Sequence, residues 1–495
     1  MKKIGASLLL AGWVSAAVAQ TNPPVSVRAL SLQDCIAQAL QHNFDVRVER
    51  YEPLKAQLGL EAAYAGYDPT LNLSGQHNHN ESGGQFVNGI IHLPQVTDAN
   101  SFNSSLVGSS PLGTTYSLSA NAAETYGSTG GNGFDSSGGS AGLNVAQPLL
   151  KNFWIDGTRL AITAAKNQIK QSEQGLRNQL INTVTAVERA FYELIYAREN
   201  LNVQQQALEL AQTQLDQDRQ RVEVGSLAPL DVQQDEAQVA QKRADLIAAQ
   251  FTLASDENTL KNLITDDYLR WHDADIEPQG TLEAPRQLFD VQDSWSKGMV
   301  SRPDLLQARL NLEQQGIQLK YDRNQLFPQL DLVGSYGFNG TGREYSDVYR
   351  QWTHNSRPFF SYGAQMSMPL SDLKARSNYK SDKAVEAQYL LKLKQLEQGV
   401  MVDIDNAVKQ AQSGWESVAA TRQARVYAEA ALDAEQKKYA VGKSTTFTVL
   451  QLQNNLTAAR SQEIRALANY NQYLAALAQA EGTTLERRHV DVAVK

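Results

Sequence analysis

The stretch at residues 221–234, RVEVGSLAPLDVQQ, interrupts a long helical pattern, and KYAVGKSTTFTVLQ at 438–451 interrupts a second one. Each stretch has Val-Gly at the break, and Gly225 and Gly442 lie 217 residues apart (442 − 225). Glycine adopts left-handed backbone angles that other residues avoid, and a proline such as Pro229 is favoured in the first turn of a helix. Both stretches therefore predict a turn between two helices.

The pattern before the first break is typical of a coiled-coil helix. Over residues 155–223, apolar residues recur every seven positions beside a stripe of small residues: Leu180, Val187, Leu194, Leu201, Leu208, Leu215 and Val222, with Ala190, Ala197 and Ala211. A heptad repeat of this length favours a coiled coil. The remaining surface is polar, which indicates a narrow apolar seam between broad wetted faces.

The helical pattern occupies segments of two lengths. They are residues 31–67, 155–223, 230–265, 289–327, 371–440 and 447–481. The longer predicted helices span roughly 100 Å and the shorter ones about half of that, at 1.5 Å per residue. Two short helices placed end to end therefore match one long helix.

Two stretches between these helices, about 69–149 and about 328–369, alternate apolar and polar residues. The apolar set is Leu71, Leu73, Tyr116, Leu118, Ala120, Leu330, Leu332, Tyr336, Phe338, Tyr362, Ala364, Met366 and Met368. Such alternation fits either a half-exposed sheet or lipid-facing barrel strands around a wet lumen. The Gly/Ser-rich segment 127–142 suits a long extracellular loop, and Trp352 and Phe359 suit an aromatic girdle at a membrane interface.

The two halves of the chain resemble each other. Residues matched at an offset of 259 (304 − 45) are Asp45, Pro69, Leu71, Leu73 and Gly75 with Asp304, Pro328, Leu330, Leu332 and Gly334. We interpret this as an internal repeat, with a first half at 20–265, an equatorial linker at 266–288, a second half at 289–481 and a tail at 482–495. Each half contains a short helix, strands, a long helix, a glycine turn and a short helix.

This order of elements predicts a rod with the strands at one end, both turns at the other and the linker at its waist. We expect two strands from the second half and either two or four from the first. Four strands cannot close a barrel, since about eight is the practical minimum, so closure would require several chains. The predicted fold class is mainly α with a membrane β-barrel, in which a long α-helical coiled-coil barrel adjoins a β-barrel completed by several chains.

The N-terminus predicts export from the cytoplasm. Residues 1–19 contain Lys2 and Lys3, a short apolar stretch and a small-residue cleavage site, which is typical of a secretory signal peptide. The formal net charge is −8, so nothing indicates a nucleic-acid partner. The single cysteine, Cys35, excludes an intrachain disulfide.

Several segments together resemble the TolC family of outer-membrane efflux proteins. They are SLQDCIAQALQHN at 31–43, QPLL at 147–150, VGSLAPLDVQQDEAQVA at 224–240, SRPDLLQARL at 301–310, FPQLDLVGSYG at 327–337 and VGKSTTFTVLQLQNNLTAAR at 441–460. The resemblance implies a homotrimer with a 12-stranded barrel in the outer-membrane lipid of a Gram-negative bacterium and an α-helical tunnel through the periplasm. It also implies two partners, a periplasmic adaptor (membrane-fusion) protein and an inner-membrane pump or ABC transporter. QPLLKNFW at 147–154 most resembles members with an enlarged first strand region, which implies extra strand-adjacent or extracellular structure.

The function that follows is passive conduction of substrates delivered by the pump, in efflux or type I secretion. The alternative is a structural or adhesive outer-membrane coiled coil without an open path, which would not need to return to the membrane twice. The sequence has no HExxH, no P-loop and no paired cysteines, so we expect neither an enzyme nor a cofactor or metal site. We interpret His77 and His79 as solvated loop residues and the acidic run 273–277 as a solvated waist surface.

The two turns are the best candidate functional site. The resemblance implies that they form the periplasmic entrance, the adaptor docking site and a gate, at Gly225, Leu227, Asp231, Asp235, Tyr439, Gly442, Lys443, Thr448 and Gln451. Asp231 lies near a helix start, where the dipole favours a carboxylate, and we expect it to accept a hydrogen bond from Tyr439. Some members carry aspartates after the second glycine, where this chain has Thr448 and Gln451. An acidic constriction would therefore have to come from Asp231 or Asp235.

Overall fold

The computed structural model describes residues 27–87, 89–354 and 357–490, so the predicted signal peptide and the end of the tail lie outside the described residues. The helices are α1 (Leu32–His42), α2 (Phe44–Glu49), α3 (Tyr51–Tyr64), α4 (Gly157–Glu223), α5 (Pro229–Ile264), α6 (Tyr268–Trp271), α7 (Val291–Ser301), α8 (Pro303–Gln325), α9 (Tyr345–Thr353), α10 (Leu373–Ala440), α11 (Thr446–Glu481) and α12 (Thr484–Arg487). The strands are β1 (Val27–Ser31), β2 (Thr70–Ser82), β3 (Gln85–Val87), β4 (Ile90–His92), β5 (Gln95–Ser109), β6 (Thr115–Thr129), β7 (Asn132–Pro148), β8 (Asp275–Gln279), β9 (Gln329–Gly342) and β10 (Pro358–Ser367).

Two long helices form the frame of the molecule. α4 contains 67 residues and α10 contains 68, so each spans about 100 Å. α4 packs against α3, α5, α8 and α11, while α10 packs against α7, α8 and α11. The α4 seam is buried at Leu180, Val187, Leu194 and Leu215, as the heptad repeat predicts, whereas the remaining heptad positions, Leu201, Leu208 and Val222, are half-buried. None of the helices in the described ranges is both long and apolar enough to cross a membrane.

Two of the predicted short helices are wrong as single helices. The segment 31–67 breaks at Asn43, whose backbone is extended and whose side chain accepts hydrogen bonds from the N–H groups of Asp45 and Val46 at the start of α2. The segment 289–327 breaks at Arg302, because the following Pro303 restricts Arg302 to an extended conformation. Helical periodicity continues through both breaks, so the local capping residues and not the apolar pattern decide where these helices end.

A six-stranded antiparallel sheet occupies the end of the molecule opposite the glycine turns, in the order β10-β9-β7-β6-β5-β2. The first half of the chain contributes four of its strands and the second half contributes two, which settles the choice between two and four for the first half. Three copies of this sheet would supply eighteen strands, against the twelve that the resemblance implies for a trimer. The segment 127–142 is also not a long loop, because it forms the tight turn and facing strands of the β6–β7 hairpin.

The sheet has one apolar face and one polar face. A continuous row of paired residues across the six strands is Leu71, Leu106, Leu118, Leu143, Tyr336 and Phe360. Side chains on this face remain exposed, with 61% of Leu71 and 86% of Tyr362 accessible. On the opposite face, Ser335 and Ser361 share a hydrogen bond of 2.6 Å. Of the two readings of the alternation, the exposed apolar face favours strands in contact with lipid.

The region 328–369 contains a helix as well as strands. α9 folds back over the apolar side of the sheet, where Val348 lies against Gly340 and the Tyr345 hydroxyl donates to the Asn100 carbonyl at 3.0 Å. His77 and His79 also differ from expectation, because they lie on β2 and not in a loop. Their ring nitrogens lie 2.8 Å and 2.7 Å from side-chain oxygens of the facing β5 residues.

The waist is more ordered than a solvated linker. β8 pairs in parallel with β1, and Ile276 within the acidic run is fully buried. Asp275 is paired with Arg198, and Asp266 lies 2.9 Å from the guanidinium of Arg47. The interpretation of this acidic segment as a solvated surface is confirmed only for Asp273 and Glu277, which are exposed. Asp275, through its ion pair, and the buried Ile276 fix the segment against α4.

The C-terminal tail also docks on α4. Gly482 ends α11 in the left-handed conformation (φ +71°), and α12 follows at once. Arg488 then pairs with Glu188 of α4, whose carboxylate is only 1% exposed. The other carboxylate oxygen of Glu188 lacks a hydrogen-bond partner among the described residues, so Arg488 supplies the main compensation for this buried charge.

We expect Arg488→Ala to destabilise the protein by roughly 3–5 kcal/mol, because it leaves a buried carboxylate without its partner. The double variant Glu188→Ala/Arg488→Ala should recover part of that loss, since no unpaired charge remains. Denaturant midpoints of purified protein measure both effects. Lys437→Ala, which breaks an exposed ion pair with Asp433, is the matched control and should leave the midpoint unchanged. A double variant with a lower denaturant midpoint than Arg488→Ala would contradict this explanation.

Candidate functional site at the hairpin tips

The first tip is a glycine-terminated helix end followed at once by a new helix. Gly225 has φ +75°, its N–H donates to the Val222 carbonyl at 2.9 Å, and the Ser226 N–H donates to the Arg221 carbonyl at 2.8 Å. This pair of bonds satisfies carbonyls that the end of α4 would otherwise leave unpaired. α5 then begins at Pro229, which has no N–H to satisfy.

The second tip repeats the helix end but not the helix start. Gly442 has φ +73°, its N–H donates to the Tyr439 carbonyl at 3.0 Å, and the Lys443 N–H donates to the Lys438 carbonyl at 2.9 Å. α11 begins differently, because the Thr445 side chain accepts from the Thr448 N–H at 3.3 Å. The Thr445 side chain thus caps the helix, and the Thr448 hydroxyl lies 2.9 Å from it, at a position where some members of the TolC family carry an aspartate.

A buried hydrogen-bond cluster joins the two hairpins. The Tyr439 hydroxyl donates to the Asp218 carboxylate, with contacts of 2.8 Å and 2.7 Å, and lies 2.9 Å from the Thr446 hydroxyl. The Gln214 amide donates to the same carboxylate at 2.7 Å. The predicted hydrogen bond from Tyr439 to Asp231 is therefore wrong in this structure, because the Tyr439 hydroxyl donates to Asp218 of α4 instead. We call Asp218, Tyr439 and Thr446 the tip latch.

Asp235 adds a second carboxyl group to this cluster. It is 1% exposed, and neither of its carboxyl oxygens has a hydrogen-bond partner among the described residues. Burial raises the pKa of Asp235 to about 7, and the neighbouring charges of Asp218 and Asp231 add to the rise. A proton on Asp235 would satisfy one of these oxygens by donation to the Asp218 carboxylate, and it would remove the repulsion between two buried negative charges.

The cluster also contains one cation. The Arg221 guanidinium lies 3.6 Å from the Asp218 carboxylate and 4.5 Å from the centre of the Tyr439 ring. Burial raises the pKa of the Tyr439 hydroxyl to about 12, so this hydroxyl stays protonated and can donate. Arg221 therefore compensates the charge of Asp218, whereas Asp235 has no ion pair among the described residues.

The structure brings only some of the predicted tip residues together. Asp235 and Tyr439 join the buried cluster, and Asp231 is half-buried in the first turn of α5. Leu227, in the glycine turn before α5, is half-buried, whereas Lys443 and Gln451 are exposed. The exposed members can meet a partner or the lumen, and the buried members hold the tips in position.

Sequence reasoning missed Asp218, the acceptor at the centre of the latch. The signal that could have found it is its place in the heptad, since Asp218 follows Ala211 by seven residues in the stripe of small side chains on α4. A carboxylate in such a stripe must be buried with compensating partners. Thr446 gives no comparable signal, because a threonine just after a turn is also an ordinary capping residue.

Comparisons with known proteins agree with this architecture. The profile of the outer membrane efflux protein family matches residues 35–265 and 296–483. The outer membrane protein TolC of Vibrio cholerae is 25% identical over 371 residues, covering 71% of this chain and 78% of the relative. The TolC of Escherichia coli K12 is 25% identical over 370 residues, covering 73% of each chain.

Solved structures show the same fold. The outer-membrane channel OprN superposes with a TM-score of 0.68 at 16% identity, covering 91% of this chain and 90% of that one. The CmeC outer membrane channel of Campylobacter jejuni gives a TM-score of 0.66 at 14% identity over 99% of both chains. The family profile covers most of the chain, and the chain therefore belongs to the outer membrane efflux protein family, a family of outer-membrane efflux channels and not of enzymes.

Proposed function

We propose that this chain assembles as a homotrimer whose sheets form a barrel in the outer membrane and whose helices form a tunnel through the periplasm. The exposed apolar face of the six-stranded sheet carries this proposal, because an apolar surface of that extent requires lipid or another covering. Substrates delivered by an inner-membrane pump or ABC transporter, through a periplasmic adaptor, would pass along the tunnel without chemical change. The structural or adhesive alternative lacks support, since the family consists of efflux channels.

Exposed apolar side chains on the helices support association of several chains. They occur on α3, α5 and α10, at Leu54, Leu58, Ile247, Phe251, Leu391, Val402 and Tyr427. Helices that pack against neighbouring copies would bury these side chains and leave the polar faces to line a water-filled tunnel. The same order of elements in residues 20–265 and 289–481 supports an internal repeat, in which each half supplies one long helix and one tip to the tube.

The hairpin tips would form the periplasmic entrance, where the adaptor docks. The exposed tip residues Gly225, Gly442, Lys443 and Gln451 are available for such a contact. The tip latch would act as a gate, because the Tyr439–Asp218 bond ties α10 to α4 across the two hairpins. Buried hydrogen bonds to a charged group stabilise by roughly 1.5–3 kcal/mol each, enough to bias the tips towards one position.

Breaking the latch should open the entrance. We expect Tyr439→Phe to raise single-channel conductance in planar bilayers several-fold, since the hydroxyl that holds Asp218 is lost. Asp231→Ala should change conductance much less, because Asp231 is not bonded to Tyr439. Tyr427→Phe, an exposed tyrosine on the same helix, is the control. A larger effect from Asp231→Ala than from Tyr439→Phe would contradict a gate held by Asp218 and would favour the predicted Tyr439–Asp231 bond.

Conductance should rise with pH between about 4 and 7 and level off above that. The pKa of Asp235 is raised in the packed tip to about 7, from an ordinary value near 4. The packed tip therefore binds an extra proton; this contribution to its stability is complete below about pH 4 and is lost as pH rises to about 7. The charged groups that act on Asp235 are Asp218 from α4 and Asp231 from α5, while Tyr439 of α10 stays neutral.

Asp235→Asn should flatten this pH response, because its amide donates to Asp218 at every pH. Bilayer recordings at pH 5, 6, 7 and 8 compare the variant with the wild type. Asp245→Asn, a half-buried carboxyl group of α5 outside the latch, is the control. A pH response of equal size in Asp235→Asn would show that another group titrates.

Ion selectivity should be weaker for cations than in a pore ringed by aspartates after the second glycine. Thr448 and Gln451 carry no charge, and Lys443 adds a positive one. We expect Thr448→Asp/Gln451→Asp to shift the reversal potential in a salt gradient towards the cation limit. The control, Thr448→Asn/Gln451→Asn, adds polar groups without charge. A strongly cation-selective wild-type channel would contradict the prediction.

A further inference from the structure

The six-stranded sheet ends in two long edges. β2 contributes 13 residues and β10 contributes 10, and neither edge has an outer partner within the described residues. Natural sheets protect free edges with lysine, proline, bulges or very short strands. The sequences TLNLSGQHNHNES and PFFSYGAQMS contain no lysine or arginine, and Pro358 stands only at the first position of β10. Edges of this length and composition are suited to pairing.

The directions of the strands determine which edges can pair. Neighbouring strands in the sheet are antiparallel, so across an even number of strands β2 and β10 run in opposite directions. The two edges of one copy cannot meet, because six strands are too few to close a barrel. The β2 edge of one copy can instead form an antiparallel ladder with the β10 edge of a second copy, and every strand in the closed structure then has two neighbours.

The lengths of the two edges restrict their register. With no displacement, the row that joins Leu71 to Phe360 would continue straight into the next copy, and Phe360 would lie opposite the next Leu71. Only residues 70–73 would then face residues 358–361, and most of both edges would stay unpaired. All ten residues of β10 find partners when β2 is displaced by six to nine residues. Odd displacements would place the apolar face of one sheet beside the polar face of the next, so only six and eight remain.

The geometry of a closed barrel gives the same displacements. A shear of six or eight residues for every six strands, with about 3.3 Å per residue and about 4.8 Å between strands, tilts the strands by about 35° or 43°. Closed barrels have tilts of about 35–45°. A junction without displacement would leave the strands parallel to the barrel axis, and a twisted sheet cannot close into a barrel in that way. Strand length and barrel geometry therefore select the same two registers independently.

Side-chain chemistry separates these two registers. A displacement of six places Leu71 opposite Met366, Leu73 opposite Ala364 and Gly75 opposite Tyr362, which continues the apolar belt across the junction. A displacement of eight moves His77 opposite Tyr362 instead. The first register also places the Tyr362 ring opposite Gly75, which the Phe102 ring of the same copy already covers from the other side.

We propose that the β2 edge of each copy pairs with the β10 edge of the next in the register displaced by six residues, which closes an eighteen-stranded barrel. The number of copies rests on the proposed homotrimer. Such a barrel has a backbone diameter of about 34 Å, against about 23 Å for twelve strands at the same tilt. The β5–β6 hairpin, which lies in the middle of the sheet, accounts for the extra width.

Cysteine cross-linking in outer membranes tests the register. Cβ atoms of directly opposed residues lie about 4.5–5.5 Å apart, within reach of a disulfide after small shifts. We expect Leu73→Cys/Ala364→Cys to form covalent dimers and trimers under mild oxidation, several-fold more than Leu73→Cys/Met366→Cys, the pair for a displacement of eight. Native Cys35 is fully buried and can remain. Each single variant should stay monomeric in denaturing gels.

Three results would overturn the proposal in distinguishable ways. Stronger cross-linking of Leu73→Cys/Met366→Cys would show that the edges pair with a displacement of eight residues and not six. Absence of cross-links at both pairs, in protein that native mass spectrometry shows to be trimeric, would exclude closure through these edges and leave the trimer intact. A native mass other than three copies would remove the trimer itself, whatever the cross-links. Cryo-electron microscopy of the purified protein should show eighteen strands around the barrel.

Discussion

The match in length between one long helix and the shorter helices that lie along it is the constraint on which this structure depends. α4 and α10 each run about 100 Å, and α5 or α11 covers only the half next to the tip. The other half is covered by α1, α2 and α3 along α4 and by α7 and α8 along α10. Because the long helices have nearly equal lengths, both glycine turns lie at one level, and the buried contact between Asp218 and Tyr439 becomes possible.

Features with strong local signals could be predicted from the sequence. Glycine at a left-handed position fixes Gly225 and Gly442 as turns whatever surrounds them, and the heptad repeat identifies the buried seam of α4. The breaks at Asn43 and Arg302 were missed, because apolar periodicity persists through them and only one capping or pre-proline residue marks each. The strand count was uncertain for another reason: β7 is rich in glycine and serine, so its sequence resembles a loop and only pairing with β6 and β9 defines it.

The candidate site shows where sequence reasoning stops. The sequence places Tyr439 and Asp231 near the same tip, but the rotation of α4 about its own axis decides which carboxylate meets the hydroxyl. That rotation is set by packing along the whole seam, with Asp218 at one of its small-residue positions. The raised pKa of Asp235 depends on the same packing, since burial is its main cause. Both properties arise from helix contacts between distant parts of the chain, which one sequence does not reveal.

The six-stranded sheet also determines how sheet and helices can share one tube. Four packed helices at 8–10 Å spacing occupy an arc of about 32–40 Å in each copy. Six strands tilted by about 35° occupy an arc of about 35 Å, whereas four strands would occupy only about 23 Å. With six strands, the circumference of the proposed barrel equals that of the helical layer beneath it. In the proposed assembly the wall would therefore pass from strand to helix without narrowing, and a constriction would have to come from the tips or from side chains within the lumen.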